Sequence, residues 1–513
     1  MSETNYEVLL INPPSQKDHG GRGEFFIPPM GLGYIASYLK QHDVSVDLID
    51  CDAESLFVDY FSPESSQEKN FKEKMASYGP KPPRVIGVGP CTTPFLANSL
   101  AVAQAVKRYF PTSFLILGGP HVSTTPPEMA KRMLSIFSYI DGICINEGEV
   151  TCWDLVQALR GHACADGVLG LVVRTRNGFS YQPRDLLTSD DLSELPFPNR
   201  TLILMHSDKY RLAVRRSFAQ ITSNQSLLQK YGKNPAFTPI FSSRGCPYGC
   251  TFCCSMPTRR TRTPESLVGE LKECINRYQI HCFVFYDDLF TTSSPLEIER
   301  VRNICNLILS ANLEVFWEVE LRANVIVSLG RDLLALMNKA GCCTVSIGIE
   351  KATDSALEDL SKQLTIRDIR DAIALLRDSG GFIINGTFIL GGPTETEDDI
   401  QAIIEFSRSL DIDYAAYYPL EIHPGTKVFD KAKSIGLIED ILTPYIEQGR
   451  SYPLFINPRL SEDNLKRLQC KAYQDFYMDG RKIESLVSRL GSVYTVYEQY
   501  KHFFEHAFIQ GIR

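Results

Sequence analysis

Short continuous apolar runs alternate with longer stretches of helical character over the first 160 positions. Glu7 to Asn12 reads as a strand that stops at Pro13-Pro14. Val44 to Asp50, Arg84 to Val88, Phe114 to Leu117 and Tyr139 to Ile145 read as further strands. Leu32 to Gln41, Phe95 to Tyr109 and Thr151 to Leu159 read as helices. Apolar strands separated by helices predict a parallel sheet covered on both faces, with any ligand beyond the carboxyl ends of the strands. Those ends carry Asn12-Pro13-Pro14, Gly89 to Thr93, Gly118-Gly119-Pro120 and Glu147-Gly148-Glu149. The polar stretch Ser62 to Pro83 reads as a surface insertion. Residues 161–236 lose the pattern, and Leu195-Pro196-Phe197-Pro198 breaks any helix, so this region reads as a linker.

From residue 237 to residue 440 the alternation returns with six strands: Pro239–Ser243, Cys282–Asp287, Glu314–Leu321, Thr344–Glu350, Phe382–Leu390 and Tyr414–Ile422. Thr263 and Pro264 open the first following helix, with Leu267, Leu271 and Ile275 at spacings of four. Thr365 and Thr396 each precede an Asp by three residues, approximating a capping box. The fold class is α/β: a doubly wound parallel sheet at residues 1–160, then a partial (β/α)6 barrel with its chemistry at the strand C-termini. Residues 441–513 read as a helical, aromatic-rich C-terminal region.

Composition adds boundaries. The 513 residues are 44% hydrophobic and 22% charged, an ordinary globular balance. The net charge of −8 (53 Lys and Arg against 61 Asp and Glu) gives no basic footprint for nucleic acid. No basic-then-apolar leader opens the chain, and no run approaches the roughly 18 to 20 apolar residues of a spanning helix. The expectation is a cytoplasmic protein without a transmembrane segment. Its 15 cysteines then read as thiols or metal ligands rather than disulfides.

Three of them are set apart. Gly245-Cys246-Pro247-Tyr248-Gly249-Cys250-Thr251-Phe252-Cys253 places Cys246, Cys250 and Cys253 at C-x-x-x-C-x-x-C spacing in a Gly/Pro loop after the first barrel strand. Three thiolates on one loop can hold three irons of a cubane cluster and leave the fourth open. The competing readings are a zinc site completed by Cys254 or His281, and plain buried thiols. Zinc sites usually bring paired C-x-x-C units, and no second pair exists here.

With these residues the chain resembles the radical S-adenosylmethionine (SAM) superfamily over Phe237 to about Gly436. The resemblance implies a 4Fe–4S cluster on Cys246, Cys250 and Cys253, and SAM chelating the open iron. Phe252 stands at the family's aromatic position before the third cysteine, where the resemblance implies that the backbone meets the adenine. The implied activity is cleavage of SAM to a 5′-deoxyadenosyl radical that attacks an unactivated carbon. Asp287 and Asp288 stand where the family places a Gly-Glu pair for the SAM amine, with a helix cap as the alternative. Glu318, Glu320 and Arg322 alternate along the third strand and would share one face, as SAM contacts or as a Glu–Arg pair. Glu350 is similar to a family Glu facing SAM. Gly391 and Gly392 follow the fifth strand as a ligand approach or a turn. His423, Tyr417 and Tyr418 are weaker substrate-site candidates.

Pro28-Pro29-Met30-Gly31-Leu32-Gly33-Tyr34, Gly118-Gly119-Pro120-His121 and Glu147-Gly148-Glu149 resemble the cobalamin-binding domain fused to one class of this superfamily. The resemblance implies cobalamin at Gly118 and Gly119. The D-x-H-x-x-G motif that supplies a cobalt ligand is absent, since Asp18-His19-Gly20 lacks its spacing. The class implies methylation of a small-molecule or lipid-like substrate, with an electron donor such as flavodoxin or ferredoxin. Oxidation, cyclisation or rearrangement over a non-methylating cobalamin domain is the alternative, and Ala472 to Tyr477 resembles the C-terminal region of that branch.

Overall fold

A computed structural model describes residues 6–15, 28–56, 68–78, 81–125, 127–203, 210, 224–232, 235–438 and 457–490. The chain divides into two compact units, one built mainly on residues 26–209, the other mainly on residues 210–437 and 453–513.

The first unit centres on β1 (Val8–Asn12), β2 (Val46–Asp50), β3 (Val85–Val88), β4 (Phe114–Gly118) and β5 (Gly142–Cys144), all parallel. Every residue of β1 and β3 is buried, which is why both read as unbroken apolar runs. The sheet order is β2-β1-β3-β4-β5, continued by β6 (Leu171–Thr175) and β7 (Gly178–Ser180). These last two correct the expectation of a linker from residue 161. They pair antiparallel to β5 and to each other, and Val172 joins the core. A second correction concerns Ser62 to Pro83. Its residues 68–76 form the helix Glu68–Ala76, whose two apolar side chains four apart, Phe71 and Met75, are buried in the same core. A mostly polar helix with one narrow apolar stripe reads as surface until the stripe is placed.

The second unit has six parallel strands in the order β15-β14-β13-β12-β11-β8. They are β8 (Phe237–Ile240), β11 (Cys282–Phe285), β12 (Phe316–Leu321), β13 (Cys342–Glu350), β14 (Ile383–Leu390) and β15 (Tyr414–Pro419), within a few residues of the six predicted. A short hairpin, β9 (Ser243–Arg244) with β10 (Arg260–Thr261), frames the cysteine loop. Thr263 caps the helix Pro264–Tyr278, and Thr365 and Thr396 form full capping boxes. Of the expected helical C-terminus, Glu462–Tyr477 and Gly480–Leu490 are helices; residues 441–456 and 491–513 lie outside the described residues.

The helix Glu462–Tyr477 sits on the last strand. The Tyr477 hydroxyl donates to Ala415 O (2.8 Å) and accepts from Ala415 N (3.1 Å). Gln469 Nε2 donates to Tyr417 O, and Tyr473 Oη accepts from Tyr417 N. An edge strand offers unpaired backbone groups to any passing strand, and here side chains of a helix fill them. Tyr417, buried, stacks on Phe388 and bonds Ser407. It is packing, which removes it from the substrate-site candidates.

Candidate active site

The cysteine loop runs from Gly245 to Arg259 and is anchored on four sides within the second unit. Cys246 N donates to Met256 O, Thr251 N to Leu360 O, and Val428 N to Thr251 O. Asp288 braces it from below, accepting from Gly245 N (2.9 Å) and Ser255 Oγ (2.9 Å). Ser255 Oγ lies 3.2 Å from Cys253 Sγ. Cys246 and Cys250 are half-buried and Cys253 is exposed. Burial lifts the Cys246 thiol above its ordinary range, and the neighbouring Cys253, Asp288 and Cys250 push the same way. Cys343 and Cys282, by contrast, are buried in the strands. Among the described residues, no three His, Cys, Asp or Glu side chains are gathered as ligands of one ion. His281, a candidate fourth zinc ligand, bonds Glu314 O through Nδ1. The donor set is three soft thiols on an open loop, which suits iron–sulfur chemistry.

Asp287 departs from expectation. Its Oδ1 accepts from Ser242 N (2.7 Å) and Ser243 N (2.8 Å), and its Oδ2 from Ser242 Oγ (2.5 Å). Burial holds its carboxyl up near 6. A carboxylate spent on backbone at the loop's entry is a strut, so Asp287 leaves the candidate ligand contacts, and it is not a helix cap either. Gly391 and Gly392 also change role. Gly391 turns with φ +82°, Gly392 N donates to Glu395 Oε2, and Gly392 O accepts from Asn457. The turn is consumed by the protein's own bonds.

The other candidates converge. On β12 the alternation holds: Trp317, Val319 and Leu321 are buried, and Glu318 and Glu320, less buried, take the opposite face. Asn385 donates to Ser346 Oγ (3.1 Å) and Ser346 to Glu318 Oε1 (2.9 Å), a polar ladder across three strands. Glu320 and Tyr286 both meet solvent at this end of the sheet. Burial raises Glu320 to about 7; Lys362 opposes the shift, and Glu350, Glu318 and Asp288 add to it.

Arg322 does not pair with these glutamates. It follows β12 as the first cap of the helix Ala323–Lys339 and reaches the cysteine loop instead. Its guanidinium lies 3.9 Å from the Tyr248 ring centroid, with Nη1 3.5 Å from Cys250 Sγ and Nη2 donating to Lys362 O. Glu350 has φ +67° at a bulge in β13 and bonds Lys362 Nζ at 2.7 Å; both are buried. A Cβ on Gly348 would stand 2.6 Å from Glu350 Oε1 and 2.7 Å from Lys362 Nζ, so glycine makes the space for this pair. Lys362 Nζ also lies 5.8 Å from the Phe252 ring centroid. Lys362 went unnoticed in the sequence, where a lysine beyond a short helix carries no signal. The result is a grouping of buried cations, carboxylates and three thiols at one end of the sheet. It suits a zwitterionic ligand beside a cluster.

In the first unit the strand order reverses between β1 and β3, because β2 lies outside β1 while β3, β4 and β5 extend the other way. The ligand crevice of such a sheet opens at that reversal, beyond Asn12 and Val88. Thr92 Oγ1 stands after β3, buried and without a hydrogen-bond partner among the described residues. A ligand with donors or acceptors fits there. Gly118 and Gly119 are one strand further out. Gly119 has φ +131°, and a Cβ on it would lie 2.4 Å from Cys91 N. Packing against the β3 turn explains this glycine without a ligand. Glu147 accepts from Leu187 N, and Gly148 packs on Ile35. Cys91 and Cys144 are core thiols as expected. His121 is buried and bonds Thr93 through Nδ1. Asp18-His19-Gly20 lies outside the described residues. No helix among the described residues is long and apolar enough to cross a membrane.

Comparison with known proteins places two family matches on these units: a B12 binding domain over residues 20–156, and the Radical SAM superfamily over residues 240–407. The chain is 29% identical over 482 residues to an uncharacterised methyltransferase of Pyrococcus horikoshii, covering 92% of both. It is 26% identical to the anaerobic magnesium-protoporphyrin IX monomethyl ester cyclase of Rubrivivax gelatinosus, covering 83% of this chain and 69% of the cyclase. In fold it is similar to the cobalamin-dependent SAM radical enzyme OxsB, solved with aqua-cobalamin and SAM, at a TM-score of 0.67 and 17% identity, covering 99% of this chain and 72% of OxsB.

Proposed function

The chain belongs to the radical SAM superfamily, in the class that carries an N-terminal B12-binding domain, and from that premise we propose that it methylates an unactivated carbon of a small-molecule or lipid-like substrate. The observation that carries this reading is the coupling, in one chain, of an open three-thiol loop to a B12-binding domain. The similarity to a methyltransferase along 92% of the chain supports it. Cys246, Cys250 and Cys253 hold the 4Fe–4S cluster, and residues 237–440 form its domain. Arg322, Glu320, Phe252 and the Glu350–Lys362 pair surround SAM, with Asp288 as the brace that keeps the loop open to it. The crevice beyond β1 and β3, next to Gly118 and Gly119, takes cobalamin. When bound, these cofactors supply a substrate radical from one SAM and a transferable methyl group, restored from a second. The protein's own part is to orient the ligands and exclude water from the site. A one-electron donor of the flavodoxin or ferredoxin type, in the cytoplasm, completes the system; nucleic acid has no part in it.

The similarity to the anaerobic cyclase favours a second reading, oxidation or ring closure without methyl transfer. Purified protein, reconstituted without oxygen, should be given methyl-labelled SAM and candidate extracts with and without cobalamin. Methylation predicts label in the product only with cobalamin. Turnover without cobalamin and without label gives the function to the second reading.

A further inference from the structure

Arg322 is 6% exposed, and its guanidinium has the Tyr248 ring on one face, Lys362 O at one end and Cys250 Sγ at the other. None of these partners is a carboxylate, and Nε, also buried, has no hydrogen-bond partner among the described residues. A planar donor with a permanent positive charge is thus aimed at one sulfur. The Glu350 carboxylate nearby is already matched by Lys362. Hydrogen bonds to cluster sulfurs and local charge set the reduction potential of iron–sulfur centres.

We propose that Arg322 sets the reduction potential of the cluster by acting directly on the Cys250 sulfur, independently of SAM. The inference rests on the assignment of Cys250 as a cluster ligand. The couple is a one-electron step: a low-potential donor gives one electron, the cluster passes from the 2+ to the 1+ state, and no bond forms or breaks. The added negative charge spreads onto the ligand sulfurs, where the guanidinium meets it. Arg322 therefore favours the reduced state and makes the cluster easier to reduce.

The test uses the full chain, reconstituted without oxygen and without SAM, titrated with titanium(III) citrate and followed by electron paramagnetic resonance. Arg322→Met and Arg322→Gln should hold the wild-type amount of iron, yet shift the midpoint to more negative potential. Arg322→Lys, which keeps the charge, should fall between them and wild type. Wild-type protein labelled with 15N only in its arginine side chains should show nitrogen coupling to the reduced cluster, lost in Arg322→Gln. Loaded variants with wild-type midpoints overturn the proposal. If the neutral variants fail to load, absence of 15N coupling in the wild type overturns it, and its presence upholds it. A different failure, full iron retained when Cys246, Cys250 and Cys253 are all replaced by Ala, would remove the cluster assignment itself.

Discussion

Lys362 has two ties at the active site: its ammonium neutralises Glu350, and its carbonyl accepts from Arg322. Losing one member of a buried pair leaves the other charge uncompensated, at a cost of about 3–5 kcal/mol. Lys362→Met should therefore destabilise the protein by that order in urea unfolding. Adding Glu350→Gln should recover much of the loss, because the stranded charge is gone. Equal loss in single and double variants would show that the two do not act as a pair. Glu320 makes a separate prediction. Burial raises its carboxyl from 4.5 to about 7, so the folded chain keeps a proton that the unfolded chain has released. Stability from this group is full below the unfolded value and lost as pH rises through about 7. Glu320→Gln, which cannot ionise, should shrink the difference in Tm between about pH 5 and about pH 8. The cysteines and the Glu318–Glu320 alternation were legible in the sequence because spacing and period carry them. Lys362 was not, because its role depends on a bulge in β13 and on Gly348. Asp287 was misplaced for a related reason. Period alone does not tell whether an acid at a strand end turns towards a ligand or towards the neighbouring loop's backbone.

At the level of elements, the six strands of the second unit were legible to within a few residues, since most are apolar runs separated by helices, several of them with a Thr cap. The use of the C-terminal helix was hidden. Ala472 to Tyr477 reads as a functional signature, yet Tyr473 and Tyr477 point at the backbone of β15. Aromatic residues with a polar tip suit this task, since the ring packs and the hydroxyl bonds. Tyr477→Phe keeps the ring and leaves Ala415 N and O unsatisfied, which costs about 1–3 kcal/mol. The expected result is a lower Tm and faster amide exchange along β15, with iron content unchanged. Protection at β15 equal to wild type would show that the hydroxyl is dispensable. In the first unit, β6 and β7 were missed because they are short antiparallel strands, the outer one exposed, that carry neither a long apolar run nor a helix between them.

For the molecule as a whole, the described residues proposed to hold each cofactor lie within one unit. The bonds that shape the cysteine loop come from Asp288, Leu360, Arg322 and Val428, all in the second unit. The strand reversal and Thr92 belong to the first, which has its own core. Among the described residues, the groups named at each candidate site belong to a single unit. This leads to a reciprocal prediction. Replacing Cys246, Cys250 and Cys253 together by Ala should abolish iron binding and SAM cleavage while cobalamin is retained at the wild-type ratio per chain. Thr92→Val, isosteric but without the hydroxyl, should weaken cobalamin retention several-fold, as losing one neutral hydrogen bond of roughly 1 kcal/mol implies, and leave iron content and SAM cleavage intact. Gly119→Trp would be a poor probe, because its side chain would strike the Cys91 backbone and disturb the sheet with or without cobalamin. Visible spectra and iron analysis of the two variants, side by side, decide the matter. If the triple cysteine variant also loses cobalamin while circular dichroism shows the fold unchanged, cofactor retention is not the property of separate units, and the crevice beyond β1 and β3 does not hold cobalamin by itself.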